Sequence, residues 1–334
     1  MRGPRFALTL FAAVLFAVGG SSCGSSSSHS GRSASARIYV SNQLDDTVSV
    51  IDGATHRIIA TIRVGISPAQ MAVSPDGRFV YVANTGSNTV SVVNAHENTV
   101  EKTIALPRGS GPIAVALSRS GHRLYTADGG ADRISVIDAR SGRVVTSVRV
   151  GTQPVGVAVT PDGKTVYSAN SGSGDVSVID ARTNSVVRAI PTGPFPSGVA
   201  VTRDGASVYV TNELSGVTVI NAGSGTVRTR LRLPSPFGVT MNPHGDRAYV
   251  TGLGPGTLTA INTGTDRVAS TVSVGSYGTD PFAVEATGDA LYVTDQGAST
   301  LSIIDPSSLR AVATVATGNS PYGVAVLQPR PTSR

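Results

Sequence analysis

Arg78-Phe79-Val80-Tyr81-Val82-Ala83-Asn84-Thr85-Gly86-Ser87-Asn88-Thr89-Val90-Ser91-Val92-Val93 reads as two strands and the turn between them, and variants of it recur along the chain. β-Branched and aromatic residues fill Arg78 to Val82, polar and apolar residues alternate from Thr89 to Val93 as a half-buried strand requires, and Thr85 to Asn88 carries turn residues. Upstream, Ser74-Pro75-Asp76-Gly77 is a second turn, preceded by the short apolar run Gln70-Met71-Ala72-Val73. Downstream, after the loop Asn94 to Asn98, the alternation resumes in Thr99 to Ile104 as an outermost strand. The unit from Ala69 to Gly109 thus predicts four strands, and the absence of a helical period predicts almost no helix.

The tyrosine of this phrase returns as Tyr39, Tyr81, Tyr125, Tyr167, Tyr209, Tyr249 and Tyr292, at steps of 42, 44, 42, 42, 40 and 43 residues. Four strand signals at that period predict a propeller blade. The first copy, Arg37 to Asn42, lacks the Gly-Val-Ala-Val run that precedes the others. That run stands at the far end instead, as Gly323-Val324-Ala325-Val326-Leu327. The expected fold is therefore all-β, a seven-bladed propeller whose C-terminal innermost strand joins the N-terminal blade and leaves no open sheet edge. The 38 Gly and 19 Pro suit a chain that turns every few residues, and 40% hydrophobic residues suffice to fill the interfaces between blades.

Residues 1–22 read as a signal peptide: Arg2 and Arg5 precede the apolar core Phe6 to Val18, and the small residues Gly19 to Ser22 follow. Cys23, the only cysteine, stands where a bacterial lipoprotein carries its acylated residue, although Gly20 replaces the usual Leu three positions earlier, which leaves ordinary secretory cleavage open. Residues 23–36 form a Ser/Gly-rich tether, 37–327 the propeller, and 328–334 a disordered tail. The expected location is outside the cytoplasm, anchored to the membrane through lipid on Cys23, or free if that residue is not acylated. The net charge of +6 sits at the ends: Arg2, Arg5, Arg32, Arg330 and Arg334 leave 22 basic against 21 acidic residues in 37–327, so no nucleic-acid partner is expected. Arg228, Arg230 and Arg232 read as guards of a sheet edge.

Propeller geometry sorts the loops onto two faces. One collects the loops after each second strand and each outer strand; it holds Asp45, Asp46, Asp128, Asp132, Asp175, Glu213, Asp280 and Asp295, opposed mainly by Arg108 and Arg133, and is expected to be acidic. Around the channel mouth on this face the aromatic residues Phe195, Phe237, Phe282 and Tyr322 gather in the later blades, with Tyr277 nearby. An aromatic half-collar over an acidic rim suits a cationic or sugar-like ligand. The candidate ligand-binding residues are accordingly Asp128, Asp132, Glu213, Phe195, Phe237, Phe282 and Tyr322. The opposite face carries His56, His96, His122 and His244, and repeating Asp52, Asp138, Asp180 and Asp305 that read as turn formers. No convergent His or Cys set, twelve-residue calcium loop, phosphate loop or nucleophile elbow is present, so no metal, cofactor or catalytic residue is assigned.

Tyr81 to Asn94 and Pro154-Val155-Gly156-Val157-Ala158-Val159-Thr160-Pro161-Asp162-Gly163 closely resemble the YVTN β-propeller repeat, and the resemblance covers essentially all of residues 37–327. It implies the seven-bladed fold. It leaves function open, since YVTN-type proteins include surface-layer components and periplasmic or lipid-anchored binding proteins. Related seven-bladed folds include quinoprotein dehydrogenases, whose blades dock through a Trp motif missing from this Trp-free chain, and sugar-lactone hydrolases, for which Glu213, or Asp128 with Arg133, would be the reacting groups. The reading is a monomeric binding scaffold for a small molecule or an envelope protein; the alternatives are a lactone hydrolase using the same mouth and a structural envelope component. Mass spectrometry of the mature N-terminus is expected to find Cys23 first and acylated, and an unmodified terminus would remove the anchor.

Overall fold

The computed structural model describes residues 35–274 and 279–329. The expected signal peptide, Cys23, nearly all of the expected tether, Tyr277 and the last five residues of the expected tail lie outside them. Among the described residues there are 28 strands and no helix, arranged as seven four-stranded antiparallel sheets. The innermost strands are Pro321–Leu327 in blade 1, Pro68–Val73 in blade 2, Pro112–Leu117 in blade 3, Pro154–Val159 in blade 4, Pro196–Val201 in blade 5, Pro236–Met241 in blade 6 and Pro281–Ala286 in blade 7. Each touches the next around the ring, and the last touches the first.

Closure follows the pattern expected from the ends of the repeat. Arg37, Ile38, Tyr39 and Val40 pair antiparallel with Leu327, Val326, Ala325 and Val324. Blade 1 therefore takes its innermost strand from the C-terminus and the other three, Arg37–Asn42, Thr47–Asp52 and Arg57–Arg63, from the N-terminus.

The core lies between blades. Tyr39, Val48, Val50 and Ile62 of blade 1 pack on Met71, Val80 and Val82 of blade 2, and the other clusters repeat the arrangement, including one that joins blade 7 to blade 1 through Ala283, Tyr292, Leu301, Ile38, Val40 and Val324. The recurring tyrosine is buried in every blade. Its hydroxyl reaches onward where a partner stands opposite: Tyr39 donates to the Ala95 carbonyl of blade 2 (3.3 Å), and Tyr209 of blade 5 donates to Asp266 of blade 6. Arg228 closes the same latch through its ion pair with Asp266 at 2.5 Å, and Arg230 donates to the Pro191 carbonyl. Two of the three edge arginines thus fasten one blade to its neighbour. On the face opposite the channel mouth, Asp52, Asp138, Asp180 and Asp305 accept backbone N–H groups of the turns that follow them, which confirms their turn-forming role.

Because blades 7 and 2 both pack against blade 1, opening the seam exposes two apolar faces. Val324→Asp places an unpaired charge in that interface and is expected to lower unfolding free energy by about 3 kcal/mol or more, measured by urea denaturation. A loss below about 0.5 kcal/mol, the range of an ordinary surface change, would mean that the seam does not hold the ring.

Candidate binding site at the channel mouth

The second strand of each blade carries, two residues after its tyrosine, the variable position of the repeat. It is Ala83, Ala127 and Ala169 in blades 2, 3 and 4, but Thr211, Thr251, Thr294 and Ser41 in blades 5, 6, 7 and 1. Each innermost strand bulges just after its proline, and in those four blades the hydroxyl fills the bulge. Thr211 accepts the Gly198 N–H (2.7 Å) and donates to the Phe237 carbonyl of the next blade (2.5 Å). Thr251 likewise links Gly238 (2.8 Å) to the Phe282 carbonyl (2.8 Å), and Thr294 links Ala283 (3.0 Å) to the Tyr322 carbonyl (3.1 Å). Ser41 continues the series from Gly323 to Ala69. Inner strands come so close here that a Cβ on Gly238 would stand 2.5 Å from the Phe282 carbonyl oxygen.

These bridges fix three aromatic residues at one register position on three consecutive blades. The Phe237 and Phe282 rings lie 3.9 Å apart between centroids at 43°, and Phe282 and Tyr322 lie 4.3 Å apart at 55°. Phe237 and Tyr322 line a cavity of ≈ 160 Å³ in the channel together with Gln70, Val155 and Ser197 from the other side of the ring. Phe282 is sandwiched between them. Phe195 behaves differently. It is 48% exposed on the same face, and its backbone is held at a φ of 53°, a left-handed conformation costly for an aromatic residue. Its carbonyl accepts the Glu213 N–H (3.2 Å).

The acidic rim differs from expectation. Asp128 is 1% exposed and accepts hydrogen bonds from Thr126 (2.7 Å) and Ser135 (2.5 Å) inside its own blade. It does the work of the repeat's Asn, as Asn84 does with Thr89 and Ser91, and cannot meet a ligand. Asp132 accepts the Gln153 N–H of the next blade (2.8 Å). Asp45, Asp46, Asp175 and Asp280 are similarly engaged by Asn319, Ser67, Asn170 and Gly254. The pairing of Asp128 with Arg133 that a hydrolase would use is not formed: Arg133 donates to Ser147 instead.

Two carboxylates remain. Glu213 sits in the loop after the second strand of blade 5; burial raises its pKa, and its charge, second to burial, helps raise that of the Tyr322 phenol. Glu285, absent from the sequence-derived candidates, lines the channel cavity. The residue is partly exposed, yet protein surrounds its carboxyl closely, and the confinement pushes it up to about 7. A sequence signal existed: the equivalent residues are Ala72, Ala116, Ala158, Ala200, Thr240 and Ala325. Among the described residues no group of three or more His, Cys, Asp or Glu is placed to hold a metal ion.

The profile of the YNCE-like beta-propeller family matches residues 5–109, which together with the seven-bladed ring agrees with a YVTN-type propeller. The hydrazine synthase of Kuenenia stuttgartiensis is similar over 84% of this chain and 92% of its own, at 24% identity and a TM-score of 0.68. Virginiamycin B lyase from Staphylococcus aureus is similar over 86% and 92%, at 16% identity and 0.69. The dihydro-heme d1 dehydrogenase NirN is similar over 86% of this chain and 74% of its own, at 16% identity and 0.64. At these identities the likeness concerns the fold alone. A comparison with curated proteins returns no match.

Asp295 occupies the repeat's Asn position in blade 7. Its Oδ2 accepts Ser302 (2.6 Å), its Oδ1 is buried without a partner, and burial raises its pKa from 3.8 to about 6. The folded state therefore holds this proton more tightly than the unfolded chain. The destabilisation from ionising Asp295 is absent below about pH 4 and complete above about pH 6. Asp295→Asn is expected to stabilise the protein by about 1–3 kcal/mol at pH 7.5, with the gain shrinking towards its pH 4 value, read by urea denaturation at both pH values. A pH-independent difference would show that the carboxyl titrates normally.

Proposed function

We propose that the protein is an exported, lipid-anchored scaffold that captures a ligand at the mouth of its propeller channel. The observation that carries the binding role is the cavity lined by Phe237, Tyr322 and Glu285, with Phe282 packed between the two rings and the Glu213 charge near enough to act on the Tyr322 phenol; among the described residues neither carboxylate accepts a hydrogen bond. Closely set rings offer a stacking wall, and unspent acids beside it supply a polar anchor of the kind that orients a small molecule in an otherwise apolar site. Binding is favoured over lactone hydrolysis because Arg133, the cation expected to assist a reacting carboxylate, is committed to Ser147. The differing activities named for the similar structures leave the choice to this chain's own residues. Export and anchoring are supported by Arg2, Arg5, the apolar core Phe6 to Val18 and Cys23.

The test is ligand-observed NMR on the mature protein with a panel of neutral sugars, neutral aromatic alcohols and aromatic amines. At least one class is expected to bind, and Phe237→Ala, at a half-buried position whose fold is checked by circular dichroism, is expected to weaken that binding about tenfold, the equivalent of one lost ring contact of about 1.4 kcal/mol. No binding by any class, or binding indifferent to Phe237→Ala, would overturn the placement.

A further inference from the structure

Glu285 has no structural task. Five of the six equivalent positions carry Ala, so the blade does not need a long side chain there, and neither a hydrogen bond nor an ion pair engages its carboxylate. Carboxylates so enclosed are ordinarily paired, because protein replaces water poorly around an isolated charge. Among the described residues nothing supplies a partner, and the group lines a cavity open to solvent.

The surroundings select the partner's chemistry. No Arg, Lys or His lines the cavity. On the strands packed against Pro281–Ala286, the titratable side chains are Tyr322 in Pro321–Leu327, Tyr292 and Asp295 in Leu291–Asp295, and Arg247 and Tyr249 in Arg247–Gly252. Of these only Tyr322 shares the cavity. Glu213 adds a second negative charge beside that phenol. Above about pH 7 the cavity is therefore negative, with aromatic faces on one side, and both features attract a cation. A bare metal ion would want several convergent oxygen or nitrogen ligands, whereas a single carboxylate beside rings matches an organic cation with an apolar body. The volume of ≈ 160 Å³ is close to the ~150 Å³ that accepts a benzene-sized molecule.

We propose that the channel binds a compact organic ammonium ion, its charged nitrogen against Glu285 and its apolar body against Phe237 and Tyr322, the two rings that line the cavity. This rests on the channel-mouth reading and specifies its ligand class. Since the pair needs an ionised carboxylate, affinity rises with pH as Glu285 loses its proton, while the amine stays protonated.

Calorimetry on the mature protein with phenethylammonium chloride and its neutral counterpart 2-phenylethanol tests it. At pH 8 the amine is expected to bind about tenfold tighter than the alcohol or better. The gap is expected to narrow at pH 5.5 and to close in Glu285→Gln and in Glu285→Ala, the latter installing the residue that five other blades already hold. Equal affinity for the two probes in the unmodified protein, a gap that survives both substitutions, or binding of neither probe at millimolar concentration would overturn the proposal. Equal binding that Phe237→Ala weakens would overturn it while leaving the mouth as a binding site.

Discussion

The seam between Arg37–Val40 and Val324–Leu327 is the constraint on which the rest of the molecule depends. A single blade cannot bury its own faces; each apolar cluster is built from residues of two neighbouring blades. Stability therefore accumulates only when every blade has a neighbour on both sides, and the pairing of the chain's two ends supplies the last such contact. The channel is a by-product of the same arrangement, since the inner strands define its wall only while they are held in a circle.

Function lies in the departures from sevenfold sameness. Blades 2 to 4 place Ala at the variable position of the repeat and aliphatic residues or none of bulk at the mouth, whereas blades 5 to 7 and 1 place a hydroxyl there. That hydroxyl accepts a hydrogen bond from its own inner strand and donates one to the next, so a backbone irregularity becomes a rigid joint. The aromatic residues stand on those joints. Rings 3.9 to 4.3 Å apart need backbones held to that accuracy, and one ring wall with a bare carboxylate below it results on an otherwise uniform scaffold.

The sequence made the blade count, the face assignments and the closing strand legible, because strand periodicity, turn chemistry and the displaced Gly-Val-Ala-Val run are local signals whose meaning does not depend on distant residues. Phe237, Phe282 and Tyr322 were legible for the same reason, through their position after each blade's proline. The acids were harder. Asp128 and Asp132 share a face with the mouth, but whether a carboxylate meets solvent or a neighbouring N–H group depends on side-chain rotamers and on loops of the next blade, which spacing does not encode. Glu285 is obscure in the sequence for the opposite reason: it lies inside an apolar strand, far from the rim loops, and stands out only against the Ala that five of the other six inner strands carry there.

Arg37 and Leu327 face each other at one end of the seam, so the start of the ring's first strand and the end of its last are neighbours. A mechanical load applied between those two points would peel the pairs one after another, as a zipper opens, rather than shear them all together. Tension applied there would thus be resisted by one backbone pair at a time.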